Sequence, residues 1–320
     1  MGAPFSIIRG IRRFMTDPTD LFGSSLRLGY GCAGAWGMPW FLESEARRLV
    51  LSAADLGVTH FDTGAFYARG VAEKRLGQIM RSTAASKDWF ISTKTGTRRD
   101  RWGRYYKDFS EEGIRADVET SLQRLGRDWL DLLYLHGPSP EEVLHTAPVI
   151  RKLRDEGKVA CAGICGEQRA FTSALEAFGP DDQVFSVMMG VYNILNKDHA
   201  RVFQRAKRQG LFTIAIAPLA QGLYNRNFFR PRSLVDVWAI ARATIKNRAE
   251  LARARAPATA FLHQTPEWTA AELALAFVLA QPFVDGAVAA ATKPHHLSQL
   301  ADAATRRPTD ALLDQMAALS

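Results

Sequence analysis

Short, continuously apolar runs alternate along the chain with longer segments whose apolar residues recur every three or four positions. The short runs fall at 26–30, 58–61, 89–93, 130–135, 159–164, 184–189, 212–217 and 284–289. Runs that are apolar throughout, rather than at every second residue, are the mark of strands buried on both faces. The longer segments, 43–56, 73–81, 111–125, 140–156, 167–178, 198–209, 270–280 and 295–304, each carry one apolar stripe at helical spacing. Start signals precede several of them: Ser44, then Ser110 with Glu111 and Glu112, then Ser139 with Pro140.

Eight strand–helix units in series predict an α/β chain, either a closed barrel or a large doubly wound sheet. Gly29-Tyr30-Gly31-Cys32-Ala33-Gly34 matches the glycine pattern of a dinucleotide-binding turn. The residues after it, Trp36-Gly37-Met38-Pro39-Trp40, read as loop, and a helix is required there. The expectation is therefore a (β/α)8 TIM barrel, one domain over residues 26–320, preceded by an arm of residues 1–25. About fifty residues separate the seventh strand from Ala270, including a helical run at 234–256. A long insertion at that face of a barrel usually covers a ligand.

Composition narrows the class. Of 320 residues 47% are hydrophobic and 23% charged, which suits a sizeable core. The net charge of +8 is scattered over many helices without a basic run interleaved with aromatics, so nucleic acid is not the expected partner. No apolar run approaches the ~20 residues of a membrane-spanning helix. Three cysteines, Cys32, Cys161 and Cys165, sit beside apolar neighbours, which points to a reducing, cytoplasmic setting without disulfides. Cys161 and Cys165 lack histidines nearby, and no metal is expected. Residues 1–15 carry Arg9, Arg12 and Arg13 between Ile7, Ile8, Ile11 and Phe14. They read as a basic amphipathic helix or loose arm on the barrel, with an organelle presequence or membrane-surface helix as alternatives, and Gly2 and Ser6 fit a myristoylation pattern.

The candidate chemistry lies at strand ends. The second strand runs into Asp62 and Tyr67, the third ends at Lys94 and the fourth at His136. In a barrel these ends meet at one rim. A buried ammonium at Lys94 demands a partner, and Asp62 is the available carboxylate. An ammonium beside the Tyr67 phenol would lower its pKa and ease proton release, while His136 could hydrogen-bond a carbonyl oxygen or relay a proton. Such a phenol suits carbonyl reduction, because the alkoxide left by hydride attack must be protonated.

Residues 57–67 with Glu73, Leu76 and Gly77, together with residues 121–136, resemble the segments around the Asp, Tyr and His of the aldo-keto reductase family, and Lys94 falls where that family has its Lys. Ala217-Pro218-Leu219-Ala220-Gln221-Gly222-Leu223 is similar to the family's pyrophosphate loop, and residues 291–297 to its adenosine-phosphate segment. The resemblance covers about 26–304. It implies reduction of an aldehyde or ketone, or the reverse, with NADPH preferred to NADH. Tyr67 would be the acid, Asp62 and Lys94 its tuners and His136 the substrate orienter. The implied cofactor residues are Gly31, Cys32, Asp62, Cys165, Met189, Leu219, Gln221, Gly222, Thr292, Lys293, His296 and Gln299.

The chain departs from the family at the nicotinamide. The family's Ser-Asn is Cys165-Gly166, its Gln is Met189, its stacking aromatic is Ile216, and its Glu-Asn pair is Gln299-Leu300. A redox-neutral barrel that keeps only the proton machinery, catalysing an elimination, isomerisation or cyclisation, is therefore the rival expectation. A non-catalytic regulatory subunit is a third, against which the intact tetrad argues. The resemblance implies a small carbonyl compound or alcohol as substrate, held by Tyr67 and His136. Trp36, Trp40, Trp102 and Tyr105 offer an apolar wall, with Trp36 and Trp102 the main candidates. Arg98, Arg99, Arg101 and Arg104 read as an exposed charged loop, with an anionic substrate as the alternative.

Overall fold

The computed structural model describes Phe22 and residues 26–179, 182, 184–224, 228–231, 233–246 and 248–319, without the side chains at 221, 235, 239 and 246. The arm expected at 1–25 thus lies outside the described residues except for Phe22. Eight parallel strands close a barrel in the order β1, β10, β9, β8, β7, β6, β3, β2. They are β1 (Leu28–Gly31), β2 (His60–Asp62), β3 (Phe90–Thr95), β6 (Leu130–His136), β7 (Val159–Cys165), β8 (Val187–Val191), β9 (Phe212–Ile216) and β10 (Gly286–Ala289). A two-stranded hairpin outside the barrel, β4 (Thr97–Arg99) with β5 (Tyr105–Lys107), follows β3. No apolar run announced it, because apart from the buried Thr97 its strand residues are exposed or half-buried and none is aliphatic. Its turn is nevertheless written locally: the Asp100 carboxylate accepts from the backbone N–H of Trp102 at 2.9 Å and of Arg104 at 2.8 Å, and Gly103 takes a φ of 81°.

The barrel expectation holds, with shifted boundaries. The sixth strand begins at Val187 rather than 184, and the eighth at Gly286 rather than 284. Val184 and Val284 are buried all the same, so apolarity reported burial and not hydrogen-bonded strand. The third glycine of the glycine-rich run opens one turn of 3-10 helix, Gly34–Gly37, where loop was expected. It is too short to form the helix of a dinucleotide-binding unit. Ser110 and Ser139 cap their helices as expected, accepting from Gly113 and Glu142. Ser44 does not, since the helix Glu43–Asp55 begins one residue before it. The 234–256 run divides into helices Leu234–Lys246 and Arg248–Ala254.

Two apolar layers result. Between strands and outer helices lies the large core, including Leu49, Leu76, Ile114, Leu133, Ile150, Phe171 and Leu273. Inside the barrel lies a smaller cluster of Leu132, Tyr134, Cys161, Cys165, Val187, Met189, Phe212, Ile214 and Val288. Small residues make room for the large ones. A Cβ on Gly163 would come 2.6 Å from the Val187 carbonyl and 2.8 Å from the Tyr134 ring. Phe22 closes the interior from below, lying edge-on to His60 at 5.1 Å. Among the described residues no helix is long and apolar enough to cross a membrane.

Candidate active site

The strand register sets the rim. Gly31 lies beside Asp62, Asp62 beside Ser92, Lys94 beside Tyr134, and His136 beside Cys165, which in turn neighbours Met189. Lys94 Nζ donates to Asp62 Oδ2 at 2.5 Å and to the Thr63 carbonyl at 2.7 Å, and its side chain is 2% exposed. Ser92 Oγ donates to the other carboxylate oxygen, Oδ1, at 2.7 Å. That commits the Ser92 hydrogen, so His60 Nε2, 2.8 Å away, must be the donor to Ser92 Oγ. Four residues of two adjacent strands thus form one buried chain, His60–Ser92–Asp62–Lys94. Burial holds His60 neutral, its pKa down at about 4.

The loop after β2 carries Tyr67. Its N–H donates to the Gly64 carbonyl at 2.9 Å, and a Cβ on Gly64 would sit 3.2 Å from the Tyr67 ring, so glycine lets the ring fold back over the loop. Ala68 and Arg69 follow in the left-handed region, at φ 48° and 58°. Two consecutive non-glycine residues there are strained. The turn is held by Glu73, buried beneath it, which accepts from Thr93, Ser121 and Arg124. The Lys94 ammonium stands 5.0 Å from the centre of the Tyr67 ring. Desolvation raises the Tyr67 pKa to about 12, against which the Lys94 charge and its hydrogen bond pull downward. The expected net lowering does not occur, because burial outweighs the ammonium. Burial also works against the Lys94 charge, yet Asp62 and Tyr67 together bring its pKa above the ordinary value.

His136 ends β6 with its ring stacked on Phe66 at 4.7 Å. Its Nδ1 lies 2.8 Å from Thr97 Oγ1. Desolvation, then the charges of Lys94 and Lys107, depress its pKa to about 3. The ring is therefore held neutral, a hydrogen-bonding group with one N–H and one lone pair.

The opposite arc of the rim is different. Cys165 and Met189 are buried in the apolar barrel interior, with Ile216 packed beside them. Cys32 is fully buried, its N–H given to the Asp62 carbonyl at 2.7 Å. The polar surface here is backbone. After β9 the loop turns through Ala217, Ala220 and Gly222, all at positive φ, with Leu219 partly buried and open space around Gly222. Gln221 belongs to this turn, but its side chain lies outside the described residues. After β10, the strand between β9 and β1, Thr292 and Lys293 lead into the helix Pro294–Ala304, whose first N–H groups have no side-chain cap. Lys293, His296 and Gln299 are exposed there. Free N–H groups at the start of a helix, flanked by a cation, are suited to phosphate. The residues present therefore fit the phosphates of a dinucleotide, while Cys165, Gly166 and Met189 offer a nicotinamide amide no polar side chain.

The family model for the Aldo/keto reductase family matches residues 27–320. The chain belongs to this family.

Among relatives of the family, it is 30% identical to L-galactose dehydrogenase of Arabidopsis thaliana over 187 residues, 57% of each chain. It is 36% identical to D-threo-aldose 1-dehydrogenase of a Pseudomonas species over 166 residues, 43% of this chain and 49% of that one. With L-glyceraldehyde 3-phosphate reductase of Escherichia coli K12 it shares 31% identity over 212 residues, 62% of this chain and 60% of that one. These matches span about half to three fifths of the relatives' lengths. Solved structures agree on the fold: glycerol dehydrogenase from Gluconobacter oxydans superposes with a TM-score of 0.71 at 21% identity, covering 91% of this chain and 90% of that one. An aldo-keto reductase from Bacillus halodurans, in its holo form, gives 0.70 at 23% identity, covering 92% and 93%.

Within this family member the expected aromatic wall needs correction. Trp36 is 1% exposed, its indole N–H given to the Ala46 carbonyl at 3.2 Å and its ring under Arg75 at 5.5 Å. It is a core residue joining the first loop to the helix Glu43–Asp55, and not part of a substrate wall. Trp40, Trp102 and Tyr105 are exposed, the latter two on or beside the hairpin. Of the arginines nearby, Arg98 is tied to Asp108 and Asp117. A cavity of about 480 Å³ lies between hairpin and the helix Glu111–Leu125, with Arg69, Arg99 and Phe66 in its wall. Sequence reasoning missed Ser92, His60, Thr97 and Lys107. Ser92 could have been found from the period of two along β3, which places it on the same face as Lys94. Thr97 and Lys107 could not, since only the hairpin brings them to His136.

Proposed function

We propose that the protein is an NADPH-dependent carbonyl reductase, or runs the reverse alcohol oxidation, with Tyr67 as general acid. The observation that carries this reading is the position of the Lys94 ammonium, shared between Asp62 and Thr63 and standing against the Tyr67 ring. An ammonium has three hydrogens; two are committed to Asp62 and Thr63, which leaves the third for the phenol.

A dihydronicotinamide, when bound at this rim, would supply a hydride for the carbonyl carbon. As the C=O π bond breaks, the oxygen gathers negative charge, and Tyr67 Oη gives it a proton. An alkoxide is a far stronger base than a phenolate, so a phenol near pKa 12 still donates downhill. The phenolate that remains faces the Lys94 ammonium, which stabilises it until a solvent proton returns. Asp62, pinned by Ser92 and Lys94, keeps that ammonium charged and aimed. His136, neutral, holds the substrate oxygen by hydrogen bonding rather than by proton transfer.

Thr292, Lys293 and the first turn of the helix Pro294–Ala304 would hold the adenosine phosphate, and the 217–222 turn the pyrophosphate. Lys293 and His296 supply the preference for NADPH over NADH. The test is a fluorescence titration with both nucleotides, followed by assay against aldehydes and ketones. Micromolar NADPH binding and consumption with a carbonyl substrate are expected. Conversion of a substrate without nucleotide, and no NADPH binding at hundreds of micromolar, would overturn the reading in favour of a redox-neutral barrel.

A further inference from the structure

We propose that Thr97 and Lys107, carried to the rim by the β4–β5 hairpin, are positioning residues that fix the tautomer of His136 and leave its Nε2–H for the substrate oxygen; this rests on the reductase reading above. Lys107 Nζ donates to Thr97 Oγ1 at 2.7 Å and to the His136 carbonyl at 2.5 Å. Thr97 Oγ1 lies 2.8 Å from His136 Nδ1 and 3.1 Å from the same carbonyl. An ammonium only donates, so one lone pair of Thr97 Oγ1 is taken, and the single hydroxyl hydrogen has two destinations. The carbonyl, at 3.1 Å, is the more distant acceptor and already receives Lys107, whereas Nδ1 lies at 2.8 Å. The shorter contact assigns the hydrogen to Nδ1 and the proton of the neutral ring to Nε2.

Electrostatics points the same way. The Lys107 ammonium polarises the Thr97 O–H and makes it a better donor. A proton on Nδ1 would instead turn the positive end of the ring toward Lys107, whereas a lone pair there faces it favourably. Lys94 and Lys107 both disfavour a charged ring. Phe66, stacked on the imidazole, fixes the ring plane. Among the described residues Nε2 has no hydrogen-bond partner, so its N–H is the group that remains for a ligand.

The hairpin thus has a chemical task besides its place on the surface. Its two strands pair Thr97 with Lys107 directly, and that pairing sets ammonium and hydroxyl side by side at the end of β6. A Cβ on Gly137, whose φ is 63°, would fall 2.8 Å from Lys107 Nζ. Glycine after His136 therefore leaves the ammonium its seat.

The experiment reads the tautomer directly. Long-range ¹H–¹⁵N spectra of the full-length protein, with the His136 signals assigned by their loss in His136→Gln, should show Nε2–H in the parent. Thr97→Val should move the ring toward a mixture of tautomers and lower kcat roughly tenfold, the lower end of what losing an orienting partner of a functional histidine costs, while NADPH affinity holds. Lys107→Met should shift the same signals, and Lys107→Arg should restore them. An unchanged tautomer in both Thr97→Val and Lys107→Met would overturn the proposal. If Thr97→Val does not fold, the Lys107 pair at its exposed position decides alone. Since the spectrum needs no substrate, a parent protein that reduces no carbonyl defeats the reductase reading without deciding the tautomer.

Discussion

The two arcs of the barrel rim contrast sharply in chemistry. On the side of β2, β3 and β6, polar groups are each tied to at least one other, and all but the half-buried His136 and the exposed Lys107 are buried: His60 to Ser92, Ser92 to Asp62, Asp62 to Lys94, His136 to Thr97 and Thr97 to Lys107. On the side of β7, β8 and β9, the inward positions are Cys165, Met189 and Ile216, and polar character is left to backbone turns and a helix start. The first arc is built to hold charge without water, where a misplaced group would cost several kcal/mol. The second offers apolar side chains at one end and an uncapped helix start at the other. On the reading proposed above, recognition there would lean on the phosphates.

The largest expected effect tests the first arc. Tyr67→Phe removes the proton donor and should lower kcat by ~10²–10⁴-fold, the usual worth of a general acid. NADPH affinity should stay near that of the parent. A variant with most of its turnover would move the acid elsewhere.

Lys94→Met should abolish turnover and leave Asp62 a buried unpaired carboxylate, a loss of ~3–5 kcal/mol in urea unfolding. Adding Asp62→Asn should recover part of it. Additive losses in the double variant would show that the two side chains are not coupled, and the polar arc would no longer be a single network.

Lys293→Ala probes the second arc. If phosphate carries recognition, NADPH should weaken about tenfold, ~1.4 kcal/mol, with NADH unaffected. Equal affinity of the parent protein for both nucleotides would remove Lys293 and His296 from the 2′-phosphate and leave the second arc without its anion-binding role.

The smallest effect is on pH dependence. The folded pKa of His60 is lowered to about 4 from an ordinary 6.5. Its stabilising contribution is therefore present above pH 6.5 and is lost as pH falls from there toward 4, where the unfolded chain binds a proton that the folded chain refuses. One such proton adds at most about 1.4 kcal/mol per pH unit to the slope. His60→Asn, able to keep a donor toward Ser92, should flatten stability between pH 6.5 and 4 when followed by denaturant titration. An unaltered slope would mean that His60 titrates normally and that the polar arc is wetter than its burial implies.

The sequence by itself determined the barrel and the convergence of Asp62, Tyr67, Lys94 and His136, because both follow from local regularities. A strand buried on two faces must be apolar throughout, and a residue at a strand end must lie on the rim once the barrel closes. The same local reading reached Ser110 and Ser139 as helix starts, each decided by a hydroxyl and an N–H three residues apart. What only the tertiary structure decided are sums over distant elements. Trp36 became core because the helix Glu43–Asp55 and Arg75 close over it. The Tyr67 pKa rose where the neighbouring ammonium alone would have lowered it, since desolvation gathers contributions from every surrounding segment. Thr97 and Lys107 met His136 through a polar hairpin with no periodic signature. Periodicity along a chain reports which face is buried; the depth of that burial, and which charges share it, are set by segments far apart in sequence.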